Sequence, residues 1–429
     1  MSIFIKKIGG DMEKETFTSY LNGVFAMVMT FLTSVILVAP APIMTTIVEK
    51  SHWNLGQTGY LLSAIYVVTC IFVFVGSVSI EKIGTKWTAV ISLAMVAIGG
   101  IMAFFSGDGF VLHLIARVIV GIGYGLYFPL PGVIVAQWIP RTQQPAWLGA
   151  RTSISTLGVS AGFYFTLPVL GFMHTWQATF GFYGILTAVL FVISIFVLRD
   201  PKRSEKANAA EQADSQVGQM GLVRVVKNKI VLKMCVVIIG VGITGIAFMG
   251  YLPAFFELEH GMSKEASSKL AGVSPIGSAS FGFICGLIMT ALGRRKIIGL
   301  SSLILIFFSA MLIIFMDNYY VVLAGAFLFG VGSVGYFVYY SMISLDLSKS
   351  DPSFIGAAFA IILACAWSPA FFVPAIFQAL LNLGMSMPMV MLIFTIPTLG
   401  SIFVQWFIEE TGPKAKQMQA KDVTQLATS

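Results

Sequence analysis

Ile83-Gly84-Thr85-Lys86 closes one apolar run with a short charged turn, and Leu292-Gly293-Arg294-Arg295 closes another at an offset of 209 residues (293 − 84). Gly121 and Gly123, inside a long apolar run, recur at the same offset as Gly330 and Gly332. Three coincident glycine pairs describe one membrane unit written twice. Two such copies in the same orientation match the parallel-repeat design of secondary transporters, in which a solute site lies between the halves near the bilayer midplane.

Composition supports the membrane reading independently. A soluble domain carries about 25% charged residues, whereas this chain of 429 residues has 10% charged and 57% hydrophobic ones. Its mean hydropathy is +0.89. A spanning helix needs about 20 mostly apolar residues, and runs of that length fill 20–198 and 230–408, six in each, among them 56–80, 87–106 and 266–292. Membrane strands would alternate apolar and polar residues; the unbroken run from Ala188 to Leu198 does not. The expected fold is an all-α membrane protein with twelve transmembrane helices in two six-helix parallel repeats. Its expected divisions are a cytoplasmic tail at 1–19, bundles at 20–198 and 230–408, a cytoplasmic linker at 199–229 and a second tail at 409–429.

Charge placement orients these spans. With a cytoplasmic N-terminus, 22 Lys and Arg residues fall in inside segments, and only Lys50, Lys264 and Lys269 fall outside. That asymmetry follows the positive-inside rule and puts both termini in the cytoplasm. The net charge of +7 then reflects loops facing anionic lipid, not a nucleic-acid partner. The first apolar stretch is too long for the core of a signal peptide and reads as an uncleaved anchor. The absence of any Asn-x-Ser/Thr sequon fits a bacterial cytoplasmic membrane.

Several chemistries lose ground on what is missing. Cys70, Cys235, Cys285 and Cys365 lack any CxxC spacing and read as packing residues, so no metal site is expected. No carboxylate falls at mid-membrane, the nearest being Glu257 and Asp346 at span ends, which counts against proton-driven sugar porters and many multidrug antiporters. His113 and His174 lie at outer span ends and read as solvated. No span contains the paired carboxylates, Ser/His couple or metal-spaced cluster of an enzyme.

Gly76-Ser-Val-Ser-Ile-Glu81-Lys82-Ile-Gly84-Thr85-Lys86 resembles the loop signature of the major facilitator superfamily, Gly-x4-acid-base-x-Gly-base-base, departing at Thr85 where a base is usual. The second copy, Gly286 to Lys296, has Ala291 where Glu81 stands and keeps only Gly293-Arg294-Arg295-Lys296. Arg117-Val-Ile-Val-Gly121-Ile-Gly123-Tyr-Gly125 is similar to the family's Arg-x3-Gly-x-Gly pattern. The resemblance implies a conformational latch made of Gly76, Glu81, Lys82, Gly84 and Lys86. Glu81 would accept from a neighbouring helix N-terminus and favour one closed state. Gln137-Trp138-Ile139-Pro140, together with Gly158, Gly162, Pro168, Gly171 and Trp176, looks like the branches that handle nitrate, cyanate and organic anions.

Gly121, Gly123 and Gly125 in the fourth span, and Gly158 and Gly162 in the fifth, are small residues suited to close helix packing. Arg117 sits about 10 Å into the fourth span at 1.5 Å per residue, where an unpaired charge costs about 2.5 to 3.5 kcal/mol. Two readings stay open for it: attraction of an anion, or a tie to backbone carbonyls of a neighbouring helix. Arg151 reads as snorkelling to the headgroups. Tyr66, Tyr124, Tyr127, Tyr164, Tyr339 and Trp367 offer hydroxyl or indole donors on apolar bodies and complete the candidate solute site. The expected function is secondary active transport of a small anionic organic solute by a monomer in the lipid bilayer, coupled to an ion or to exchange, without cofactor. An efflux pump for lipophilic compounds and a non-transporting solute receptor are the alternatives.

Overall fold

The computed structural model describes residues 2–140, 142–200, 225–347 and 352–412. Arg141, most of the expected linker and the second tail beyond residue 412 lie outside them. Fifteen α-helices carry the described chain, with no strand among these residues. They are α1 Ser2–Val38, α2 Met44–Ser51, α3 Leu55–Phe105, α4 Phe110–Tyr127, α5 Leu130–Trp138, α6 Gln144–Met173 and α7 Trp176–Val197. After residue 224 come α8 Lys229–Leu258, α9 Lys264–Ala271, α10 Val273–Leu292, α11 Arg295–Phe315, α12 Tyr319–Leu347, α13 Pro352–Trp367, α14 Val373–Asn382 and α15 Met387–Trp406.

Prolines set several of these boundaries. The first span is broken by a short 3-10 turn at Ala41–Ile43, where Pro40 and Pro42 interrupt the ladder, and α4 passes to α5 at Pro129 and Pro131. A second 3-10 turn, Ser368–Phe371, separates α13 from α14 at Pro369. The 51 residues of α3 would reach about 75 Å at 1.5 Å per residue, far more than a bilayer core of about 30 Å. They turn back at Gly84, whose φ of 86° and ψ of 169° are not helical. This one element therefore holds the two spans expected at 56–80 and 87–106.

The chain folds into two compact units, Met1–Trp53 with Ala64–Lys202 and Asn54–Ser63 with Arg203–Ser429. The bundles expected from sequence differ from these units in the first turns of α3. Residues 54–63 pack within the second unit, where the Gly56 amide donates to Gln378 Oε1 at 3.0 Å and a Cβ on Gly59 would strike the Tyr251 hydroxyl.

The 209-residue repeat reappears as repeated packing inside each unit. Thr69 Oγ1 donates to the Gly121 carbonyl at 3.5 Å, and Ser278 Oγ donates to the Gly330 carbonyl at 2.8 Å. A side chain on Gly121 would meet Ile65 and Val68; one on Gly330 would run into Ser274, which stands 209 positions after Ile65. Gly84 and Gly293 both have positive φ, 86° and 62°, which only glycine adopts without strain. The internal packing of the two copies is thus specified by the same slots.

Candidate functional site

Helices α1, α4 and α6 of the first unit carry a polar seam through an otherwise apolar bundle. Threonine and serine in a membrane helix satisfy their hydroxyls on the carbonyl one turn earlier: Thr30 Oγ1 reaches the Ala26 carbonyl at 2.7 Å, and Thr33 Oγ1 reaches Met29 at 2.7 Å. Their oxygens still have accepting capacity for a neighbour. Tyr127 donates to Thr30 Oγ1, the Tyr124 ring lies 6.0 Å from that of Tyr127, and Ser34 pairs with Ser155 Oγ at 3.0 Å. Gly158 permits this approach, since a Cβ there would lie 2.6 Å from the Phe31 carbonyl oxygen.

Arg151 heads the seam. Its Nη2 donates to the Phe128 carbonyl at 3.0 Å, and the guanidinium lies 5.6 Å from the Phe128 ring centroid. The Phe128 ring in turn lies 6.3 Å from that of Tyr124, the ring already beside Tyr127. The contact this side chain makes is to the Phe128 carbonyl of the neighbouring segment. The seam therefore combines a half-buried cation, phenol hydroxyls and small hydroxyl side chains. That set can bind a carboxylate through charge-assisted hydrogen bonds and sugar-like hydroxyls through neutral ones.

Arg117 lies elsewhere. It is 4% exposed, donates from Nη1 to the Ile36 carbonyl of α1 at 3.2 Å and covers the Phe180 ring of α7 at 4.2 Å. Its Nη2 has no partner among the described residues and borders a void of about 10 Å³, lined also by Val120, Phe180 and Tyr183. Such a void has room for about one water molecule and none for an organic solute. Of the two sequence readings, the tie to a neighbouring carbonyl is the contact present.

The remaining candidates are scattered. Tyr66, Tyr124 and Tyr127 are all buried in the first unit. Tyr164 of α6 and Trp367 at the end of α13 are half-buried. Tyr339 is fully buried in the second unit, takes a hydrogen bond from Gln405 and packs against Gly299. His113 is not solvated but 1% exposed: Trp53 and Trp176 close over its ring, which bonds the Gly107 carbonyl at 2.8 Å.

At the turn of the expected latch, Gly76 lies close to Leu126, and Glu81 and Lys82 are exposed. The carboxylate that accepts from a helix N-terminus there belongs to Asp200. Thr85 Oγ1 and the Lys86 amide donate to Asp200 Oδ1 at 2.7 and 2.9 Å, while Gln137 Oε1 lies 3.3 Å from Thr85 Oγ1. The second copy repeats the device with more charge. The Arg295 and Lys296 amides donate to Glu410 at 2.6 and 3.1 Å, and Arg295 Nε meets Asp346 at 3.1 Å. A legible signal existed: in each copy an acid directly follows the last span. Asp200→Asn removes the charge but keeps the shape, and should lower the denaturation midpoint of the purified protein by the equivalent of about 0.5 to 1 kcal/mol. An unchanged midpoint would reduce Asp200 to a solvated loop residue.

Residues 24–374 match the sequence model of the Major Facilitator Superfamily. The chain belongs to that superfamily. Solved transporter structures share its fold over nearly the whole chain. A D-xylose-proton symporter covers 92% of this chain and 98% of its own at a TM-score of 0.69 and 16% identity. A nucleoside transporter covers 90% and 99% at 0.70 and 12%. Among curated relatives, a hexuronate transporter of Bacillus subtilis is 26% identical over 277 residues, 60% of this chain and 63% of its own length. An Arabidopsis thaliana protein named "Probable anion transporter 5" is 22% identical over 60% of this chain and 62% of its own. The quinolone resistance protein NorA of Staphylococcus aureus is 25% identical over 45% and 47%. The matched region thus spans a little under two thirds of the first two relatives. These superfamily relatives are transport and resistance proteins, not enzymes.

Proposed function

We propose that this chain is a secondary active transporter for a small organic anion of the sugar-acid class, working by alternating access in a bacterial cytoplasmic membrane with both termini in the cytoplasm. The observation that carries the reading is the Arg151 guanidinium held on the carbonyl of Phe128, whose ring lies 6.3 Å from that of Tyr124, a cation near hydroxyl donors with no carboxylate among the described residues of the seam. A sugar acid presents one carboxylate and several hydroxyls, which is the complement of that set. Similarity to a hexuronate transporter and to a protein named for anion transport supports the same class. Since the seam offers no carboxylate to exchange protons, coupling would come from another ion, from protonation elsewhere or from solute exchange.

Purified protein in liposomes tests the proposal against uronates, neutral hexoses, nitrate and a quinolone. Uptake or counterflow of a uronate, competed by other sugar acids and not by neutral hexoses, is the expected result. Movement of the quinolone with no response to any carboxylate would replace this reading with the efflux alternative. Saturable binding without flux would leave the receptor alternative standing.

A further inference from the structure

Helices α10 and α11 of the second unit leave a groove of about 240 Å³ between them, lined by Phe281, Cys285 and Ile288 on α10, by Ile298 and Leu305 on α11 and by Val331 of α12. No charged side chain lines it, and the hydroxyl of Ser301 at its edge is spent on the Ile298 carbonyl at 3.1 Å. Lining residues span seven positions on each helix, so the groove follows the helix axes for about 10 Å at 1.5 Å per residue. An engineered apolar cavity of about 150 Å³ already takes a benzene ring; this one is larger and elongated. Ile288 and Ser301 are exposed, so the groove is open to the surface. Ile284, Leu287, Ile297 and Ile304 of the same two helices are exposed as well, and in a spanning helix such a face meets hydrocarbon.

One end of the groove carries charge. Arg294, four residues ahead of Ile298, is exposed and has no partner among the described residues. Its neighbours are committed: Arg295 to Asp346, and Lys296 Nζ to the Trp406 carbonyl at 2.6 Å. Trp406 is exposed beside Lys296, the setting of a tryptophan at headgroup level. The first copy has neither feature. Thr85, 209 positions before Arg294, is bonded to Asp200, and Gly76, 209 positions before Cys285, lies against the Leu126 backbone.

We propose that the groove between α10 and α11 seats one acyl chain of an anionic phospholipid whose headgroup phosphate is held by Arg294. An elongated apolar trough open to hydrocarbon takes a chain, and a free guanidinium one helical turn beyond its end takes a phosphate through charge-assisted hydrogen bonds. The local charge selects the headgroup. Arg294, Arg295 and Lys296 face two carboxylates bonded to this turn, Asp346 and Glu410, which leaves one positive charge. An anionic lipid neutralises it, whereas a choline headgroup brings a cation of its own.

Native mass spectrometry of the full-length protein released from nanodiscs tests the site, with dioleoyl phosphatidylglycerol and dioleoyl phosphatidylcholine as the two probes. One phosphatidylglycerol per chain should survive release at collision energies that strip phosphatidylcholine. Arg294→Gln should lose that preference and hold the two lipids alike. Ser301→Phe, which fills the groove from its exposed edge, should lose the retained lipid altogether. Lys269→Gln, which removes one exposed charge on α9 instead, should keep it. Phosphatidylglycerol kept undiminished by Arg294→Gln or Ser301→Phe, or lost by Lys269→Gln, overturns the proposal. Displacement of the lipid by soluble glycerol phosphate would make this a site for a free anion, and a dimer broken by Ser301→Phe would seat a second chain in the groove; either result overturns it too. If the variants do not fold, the unmodified protein decides, and equal retention of the two lipids overturns the site.

Discussion

Arg151→Gln is expected to weaken equilibrium binding of a sugar acid by about 10- to 150-fold, the worth of about 1.5 to 3 kcal/mol for a hydrogen bond to a charged group. Lysine at the same position keeps the charge but not the planar fork that holds the Phe128 carbonyl, so Arg151→Lys should fall between the two. The contrast with Arg117 makes the test discriminating. Arg117 spends its Nη1 on the Ile36 carbonyl and faces a void of about 10 Å³, too small for a carboxylate with its carbon frame. Arg117→Gln should therefore leave solute affinity nearly unchanged and slow transport, because the tie between α4 and α1 is lost. Isothermal titration on the purified variants gives the answer. Full-strength binding by Arg151→Gln, together with lost binding by Arg117→Gln, would move the anion site to Arg117 and sink the seam.

The second large effect is structural. Gly330→Val places a branched side chain where a single Cβ would already collide with the Ser274 carbonyl, and backbone, unlike a flexible side chain, cannot turn aside. Overpacking of this kind costs typically about 1 to 3 kcal/mol, and this substitution should reach or pass the upper end. Gly121→Val, in the same slot of the first copy, should cost less, since its nearest obstacle is the Val68 side chain at 2.9 Å. Gly400→Ala is the control. No atom lies within 4 Å of its added Cβ, so the helix propensity of alanine should make the change neutral or slightly stabilising. Chemical denaturation midpoints measure all three. Equal midpoints for Gly330→Val and Gly400→Ala would contradict the close approach of α10 and α12.

The fold is readable because its determinants are one-dimensional. Span lengths follow from bilayer thickness, and the 209-residue repeat fixes which glycines occupy equivalent slots. The outcome at Thr69/Gly121 and Ser278/Gly330 rests on nothing more than that spacing. Site geometry is angular, and there sequence is weaker. Depth along a helix can be counted, but a span apolar on every side gives no sign of which face meets a neighbour, so Arg151 can be placed at its depth and not paired with the Phe128 carbonyl. Contacts between spans far apart in sequence are hidden for the same reason, as with Ser34 and Ser155. His113 misleads because nearness to a span end suggests exposure, whereas two tryptophans from other segments cover it. Asp200 reads as plain linker, although its position directly after a span, ahead of Pro201, is there to be used.

The turns at Gly84 and Gly293 end in different chemistry, and dissolved salt will tell them apart. In the first copy the Asp200 carboxylate takes neutral donors, the Thr85 hydroxyl and the Lys86 amide, while in the second the Asp346 carboxylate holds the charged Arg295 guanidinium. Electrolyte, with a Debye length of about 8 Å at physiological strength and about 3 Å at 1 M, weakens an ion pair more than a hydrogen bond from a neutral donor, though the partial burial of Arg295 and Asp346 blunts the effect. A halophilic or desiccating host would thus loosen one copy of the repeat before the other, so a protein built from duplicated halves need not respond to osmotic stress as a symmetric object.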